Sequence, residues 1–437
     1  MKTKKKRRLR KEPKIILALL LVIITIIIII KPNISKNKEN TENNTPNKVE
    51  KITKVNYKDY ITNEKSEYNN EIKYVSEGMK LTNFISALSK EENYVNKSGS
   101  YTQIKYNFEQ NLSYEELENI FLNLNKSNIV KLEIIGKSYD GRNIYSIEIG
   151  KGERISMFEG NIHAAEIAPL LFLTKYSVDL VNSYESKDET IVDLLNTNKI
   201  VIVPTINPDG YDYSVKGKEI INDKSSYVYK NSNLIEKDYF KANINGIDLN
   251  RSFPSRNGGL YFKKNTPSYT LVTNKSTKRL EYFPGYELGS EPETQALMYF
   301  MYKYQENAHV YVAVHSAGRV IYHGKPDLSD TYNKTCSKMA NIVSNTTGYT
   351  PLGVDYEDVG YGSDGSATDM IAEIKHGFKF STQSGRLTSL NKIPEMASPF
   401  CAMTIETLES YTQNLETIKS EYNNKKLSDA LTSLVKY

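Results

Sequence analysis

Only five of the 437 residues are histidine, and two of them stand where a metal ion would need them. His163 and Glu166 form H-x-x-E immediately after an apolar run, at the start of a helical stretch. One helical turn apart, the two side chains reach the same point in space. His315 closes a separate apolar run, HVYVAVHS, far along the chain. Two neutral imidazoles and one carboxylate, with a fourth position left to water, are the ligand set of a catalytic zinc site. H-x-x-E alone is weak evidence, because an ordinary polar pair at a helix N-terminus has the same spelling. His309, His323 and His376 lie in no such context and read as surface or structural residues.

The elements around these residues must bring them together. SYEELENIFLNLNKS opens with an N-cap Ser113 and acids in its first turn, which predicts a helix. IVKLEIIGKSYDGRNIYSIEIG reads as a hairpin about GKSYDGR. RISMFEG is a strand that leads to NIHAAE and then to the helical APLLFLTKYSVDLV. NKIVIVPTI is a buried-type strand ending in the turn signature NPDG, and CAMTIET is a further strand ending at Glu406. Strands alternating with helices predict an α/β fold with a largely parallel, covered sheet. In such folds ligands sit beyond the carboxyl ends of strands, where these polar residues fall.

Composition sets outer limits. A chain that is 39% hydrophobic and 25% charged can bury a sizeable core and excludes wholesale disorder. With two cysteines, Cys336 and Cys401, a disulfide scaffold is excluded, although one bridge stays open. The net charge of +5 arises in the first fourteen residues, MKTKKKRRLRKEPK, and the remainder is slightly acidic, which argues against a nucleic-acid partner. Residues 15–30 are Ile, Leu, Val and Ala broken only by Thr25, and read as a membrane anchor somewhat short of a full bilayer. The following KPNISKNKEN has no signal-cleavage pattern. Basic residues before the anchor would remain cytoplasmic, placing the rest outside the cell membrane as a single-pass protein. Residues 31–105 are expected to be a stalk or a small undefined module, and residues 106–437 the catalytic domain.

Laid out in order, GNIHAAE (160–166), NPDGY (207–211), GIDLNRSF (246–253), VHS (314–316), YGSDGSATD (361–369) and TIE (404–406) resemble the zinc carboxypeptidase family. That group includes digestive carboxypeptidases and bacterial peptidases of cell-wall peptides. The resemblance covers about residues 106–420 and implies an α/β/α sandwich around a mixed, mainly eight-stranded twisted sheet, with one zinc ion per chain. It implies that His163, Glu166 and His315 are the zinc ligands. Asp248 would hold the first histidine, fixing its tautomer and raising its basicity. Asn250 and Arg251 would grip a substrate carboxylate, which a guanidinium fork suits. Glu406 would be the base that takes a proton from water and passes it to the leaving amine. Glu409 is its neighbour and fits the pattern less well. Tyr361 would cap the occupied site.

Departures from the family pattern matter. The residue before the glutamate ligand, often Arg in the digestive enzymes, is Ala165. The oxyanion-stabilising arginine has no clean counterpart, and Lys241 is the candidate, against its reading as a solvated surface lysine. Thr368 stands where the digestive enzymes set side-chain preference and is not acidic, which argues against a dedicated preference for basic C-termini. Arg256 reads as solvated. The longer stretch before Glu406 would place a rim or lid around Ser381–Ser398. The implied activity is hydrolysis of an amide beside a residue with a free carboxylate, with a peptide as partner, a peptidoglycan stem peptide among the candidates. A zinc deacylase of N-acyl amino acids and an inactive surface binding module are the alternatives.

Overall fold

A computed structural model describes residues 55–64, 76–108, 112–259, 279–353, 364–388, 396 and 398–437. A two-residue strand, β1 (Ile61–Thr62), and a short helix, α1 (Leu81–Leu88), precede α2 (Tyr114–Leu124). Ser113 caps α2 reciprocally with Glu116, each side chain accepting from the other's backbone N–H. β2 (Val130–Lys137) and β3 (Asn143–Gly150) pair antiparallel across GKSYDGR, as the alternating pattern predicts. β4 (Arg154–Gly160) leads to α3 (Ile167–Glu185), α4 (Glu189–Thr197) and β5 (Asn198–Val203). NPDG, expected as a turn, starts the helix α5 (Pro208–Lys216). Asn207 is its N-cap and Pro208 fills the first turn, where a missing N–H costs nothing. After α6 (Tyr227–Asn231) come α7 (Pro292–Tyr304), β6 (Ala308–Ser316), β7 (Val320–His323), α8 (Asp330–Thr347) and β8 (Thr350–Leu352). α9 (Ala367–Lys375), β9 (Lys379–Ser381), β10 (Leu387–Thr388), β11 (Cys401–Thr407), α10 (Leu415–Asn424) and α11 (Leu427–Lys436) complete the order.

Eight strands form one mixed sheet in the order β2-β3-β5-β4-β6-β11-β7-β8. Its centre, β5-β4-β6-β11, is parallel, while the β2–β3, β3–β5 and β11–β7 pairings are antiparallel. The simple strand–helix alternation pointed to a more parallel sheet than this, because a hairpin at one side and a returning β7 at the other reverse the direction. Every residue of β6 is buried, so both faces of the sheet are covered there.

Residues 55–105, expected to be a stalk or separate module, pack into the same body wherever they are described. Thr53–Tyr437 form one compact unit. β1 adds to β9 and β10 as a three-stranded sheet, and Phe84 of α1 stacks on Phe380 with ring centroids 4.2 Å apart. Met79, Phe84, Ala87 and Leu88 are buried in the main core. The described part of the Ser381–Ser398 stretch is a strut. Arg386 is buried and donates to the carbonyls of Gly258, Ser384 and Ser76, and the Met79 N–H donates to the Gly385 carbonyl. A disulfide joins Cys336 on α8 to Cys401 on β11. Among the described residues no helix is long and apolar enough to cross a membrane, and residues 15–30 lie outside the described residues.

Candidate active site

The four central parallel strands deliver their carboxyl ends to one edge, the place where α/β sheets hold ligands. Past β4, the chain turns sharply at Asn161, whose φ is +49°. The Asn161 side-chain amide lies 3.0, 3.2 and 3.0 Å from the carbonyls of His163, Ala164 and Glu166, and its oxygen accepts from the Thr205 hydroxyl. Asn207, after β5, donates to the carbonyls of Ile162 and Ala242. At Gly210 a Cβ would stand 2.6 Å from that of Ala164, so the start of α5 can press on the H-x-x-E loop only with glycine there. Asn161 drew no notice in the sequence, although its place between a strand and H-x-x-E was a signal. NPDG was recognised as a string, but its work as a buttress was not.

His163, Glu166 and His315 converge, with one candidate ligand atom from each within 4.8 Å of the others. His163 Nδ1 is 2.9 Å from Glu166 Oε1 and His315 Nδ1 is 3.0 Å from Glu166 Oε2. All three side chains are buried, and the imidazole rings meet nearly edge to face at 5.0 Å. His163 Nε2 turns the other way, 3.3 Å from Asp248 Oδ1. This donor set fits zinc: two imidazoles and a carboxylate, with an acid behind one ring. Burial opposes charge on His163, but the carboxylates of Glu166 and Asp248 outweigh it and raise its pKa to about 9. Burial likewise opposes the charge on Glu166, yet His163, Lys241 and His315 hold it well below the usual carboxylate range.

Parallel register places Glu406 on β11 directly opposite His315 on β6. Ala402, Met403, Thr404 and Glu406 of β11 line one cavity with His315. Burial, with Glu166 adding to it, raises the Glu406 pKa above the ordinary value. Glu409 is elsewhere, exposed and paired with Arg319. Lys241 is not a surface lysine. Its side chain is 18% exposed, and its Nζ lies 3.5 Å from Glu166 Oε1 and 3.9 Å from Glu281 Oε2. Its Nζ also lies 5.4 Å from the ring centroid of Tyr411, a residue that sequence reasoning passed over among the chain's 33 tyrosines. Burial works against the Lys241 charge, but Glu166, Tyr411 and Glu406 keep it protonated.

Asp248 caps the turn that carries Asn250 and Arg251, accepting from the N–H groups of Asn250 and Tyr282. Asn250 Oδ1 accepts from the Ala367 N–H, at 3.0 Å. Arg251 stacks over Tyr282 at 5.4 Å, and its buried Nε has no hydrogen-bond partner among the described residues. Such an unpaired donor is costly unless a ligand meets it. His163, His315, Glu406, Lys241, Asn250 and Arg251 all line one cavity of about 720 Å³. Tyr361 lies outside the described residues. Arg256, read as solvated, instead pairs with Asp327 and approaches Glu373. His309 and His376 are buried and hydrogen-bonded to Ser156 and Ser329, while His323 lines the cavity.

The sequence profile of the zinc carboxypeptidase family matches residues 119–383. Human carboxypeptidase A6 is 25% identical over 327 residues, 71% of this chain and 68% of that protein. Gamma-D-glutamyl-L-diamino acid endopeptidase 1 of Lysinibacillus sphaericus is 29% identical over 225 residues, 50% of this chain and 52% of that protein. With several other curated relatives the chain spans about half of their length or less. Carboxypeptidase A from Helicoverpa armigera has the same fold, with a TM-score of 0.51 at 20% identity, covering 78% of this chain and 76% of that one. With the profile spanning well over half of the residues and a His–Glu–His cluster at its centre, the chain belongs to the zinc carboxypeptidase family of zinc-dependent hydrolases.

Proposed function

We propose that the protein is a membrane-anchored, outward-facing zinc peptidase that hydrolyses an amide beside a residue bearing a free carboxylate. The observation that carries this reading is one cavity lined by the His163 and His315 imidazoles, the half-buried Glu406 and an Arg251 Nε that has no hydrogen-bond partner among the described residues. His163, Glu166 and His315 would hold the zinc ion, which when bound would supply a Lewis acid for the scissile carbonyl and for the attacking water. Asn250 and Arg251 hold the substrate carboxylate, which fixes the register of the amide to be cut. Glu406 takes a proton from water as the carbon–oxygen bond forms, then gives it to the leaving nitrogen as the carbon–nitrogen bond breaks. Lys241 faces the charge that develops on the carbonyl oxygen. Asp248 keeps the His163 ring turned, with Nδ1 toward Glu166.

A relative named for cleaving at a diamino acid supports peptidoglycan stem peptides as the substrate class. The apolar run at residues 15–30 supports delivery to the outer face of a cell membrane. The test uses the full chain in detergent beside its Glu406→Ala counterpart, with ordinary peptides and purified stem peptides, reading products by mass spectrometry. Cleavage of stem peptides alone, lost in the variant, is expected. Stepwise trimming of ordinary peptides alone would replace the stem-peptide reading with general carboxypeptidase action. Cleavage only of N-acyl amino acids would turn the assignment to a deacylase.

A further inference from the structure

The grip proposed for the substrate carboxylate rests on an irregular stretch of chain. Asn250 and Arg251 share one short turn, and residues 252–259 behind them form neither helix nor strand. What fixes that stretch comes from two places distant in sequence. From the β9–β10 hairpin, the Leu387 N–H donates to the Pro254 carbonyl and Arg386 Nε donates to the Gly258 carbonyl, both at 2.8 Å. From residues 76–79, the Ser76 N–H donates to the Gly259 carbonyl. The Glu77 carbonyl accepts from the Leu288 N–H, and the neighbouring Gly289 N–H donates to the Ser252 carbonyl. Arg386 joins the two places, because its remaining nitrogens donate to the carbonyls of Ser76 at 2.8 Å and Ser384 at 3.0 Å. A Cβ on Gly78 would stand 2.0 Å from the Ser384 carbonyl oxygen, so the two stretches touch backbone to backbone. A guanidinium suits this buried junction, since its planar fork presents donors in fixed directions and meets several carbonyls at once.

We propose that Arg386 is a positioning residue for the carboxylate grip. By tying residues 76–79 and the β9–β10 hairpin to the chain behind Arg251, it fixes where the Asn250 amide and the Arg251 guanidinium meet a substrate carboxylate. Arg386 does not line the cavity, so it acts on substrate only through those two side chains. A two-point grip of this kind is sensitive to displacements well below the size of an atom group, because misplacing the carboxylate misplaces the amide to be cut. The inference rests on the peptidase reading above. It gives a part in substrate binding to two stretches that the sequence put elsewhere, residues 76–79 in a stalk and Arg386 in a rim or lid.

The test measures kcat and KM of the zinc-loaded full chain on a peptide that it cleaves and on the same peptide with its terminal carboxylate converted to the amide. The wild type should prefer the free acid by about 10²-fold or more in kcat/KM. In Arg386→Met that preference should fall by about tenfold or more, through a raised KM for the acid with kcat changed less. Arg386→Lys, which returns the charge as a point rather than a fork, should recover part of it. Gly78→Ala, which displaces the Ser384 carbonyl and removes no charge, should shift the preference the same way. The acid-to-amide ratio within one variant is independent of how much of it is folded. Leu434→Ala, in the core at α11, controls for lost stability and should keep the wild-type preference. A preference unchanged in both Arg386→Met and Gly78→Ala, or lowered as much by Leu434→Ala, would overturn the inference alone. Failure of both variants to fold would leave the junction a structural part and overturn it as well. Equal cleavage of acid and amide by the wild type would remove the grip itself, and with it the free carboxylate from the peptidase reading.

Discussion

A carboxyl group enclosed as Glu406 is keeps its proton to higher pH than one in water, because burial penalises the charged form. As the base it must be ionised, so hydrolysis falls as pH falls through that raised value. The acid limb of kcat/KM should therefore lie above the ordinary carboxylate range of about 4.3. The Lys241 charge works in the opposite direction on Glu406. Lys241→Met should thus move the limb further up and lower kcat by roughly 10²-fold, with a smaller change in KM. A pH–rate profile of both proteins checks this, and an unchanged kcat would remove Lys241 from the chemistry. The metal-free protein offers a second readout at the same scale. His163 titrates at about 9 in the folded chain against an ordinary 6.5, so its proton stabilises the fold fully below pH 6.5. That contribution is lost as pH rises to 9. After chelation the melting temperature should decline across this window, and the decline should vanish in His163→Gln.

The H-x-x-E loop is an irregular segment, and its shape depends on polar side chains beneath it. Asn161→Ala would leave buried carbonyls of His163, Ala164 and Glu166 without that amide, and would put alanine at φ +49°. The expected cost is about 1–3 kcal/mol, with zinc retained less well during dialysis against a chelator. Retention and stability equal to wild type would show that the loop holds its own shape. The long elements here were readable from the chain because their patterns are local. The capping box before α2, the alternation of β2 and β3 and the apolar run of β6 each need only neighbouring residues. NPDG was misread as a plain turn because a turn and a capped helix start share Asn, Pro, Asp and Gly. Only the residues that follow, packed on Ala164, separate the two.

At the scale of the whole molecule, the N-terminal residues decide where the domain begins. Removal of residues 1–52 should leave the cooperative unfolding of the remainder unchanged. Removal through residue 105 should take Met79, Phe84 and Leu88 out of the core and lower the melting temperature sharply or abolish soluble expression. Thermal unfolding and limited proteolysis of the two truncated proteins distinguish these outcomes. The α1 segment was ambiguous because eight residues with a mixed face are too short to announce a partner. Its partners, Phe380 and Tyr302 against Phe84, lie hundreds of residues away.

The amino-acid sequence alone determined the family, the helices α2 and α3 with the strands β2 to β6 and β11, and the set His163, Glu166, His315, Asn250, Arg251 and Glu406 as candidates, because these sit in short strings whose spacing is itself the signal. Tertiary structure decided what no local spacing encodes. Strand register set Glu406 opposite His315, a buried loop drew Lys241 and Tyr411 to Glu166, and the chain after β7 met α9 to set Lys325 against Asp369 and Glu373. Each of these charges is tolerable in the interior only because a distant residue answers it, and which distant residue does so is a property of the folded chain.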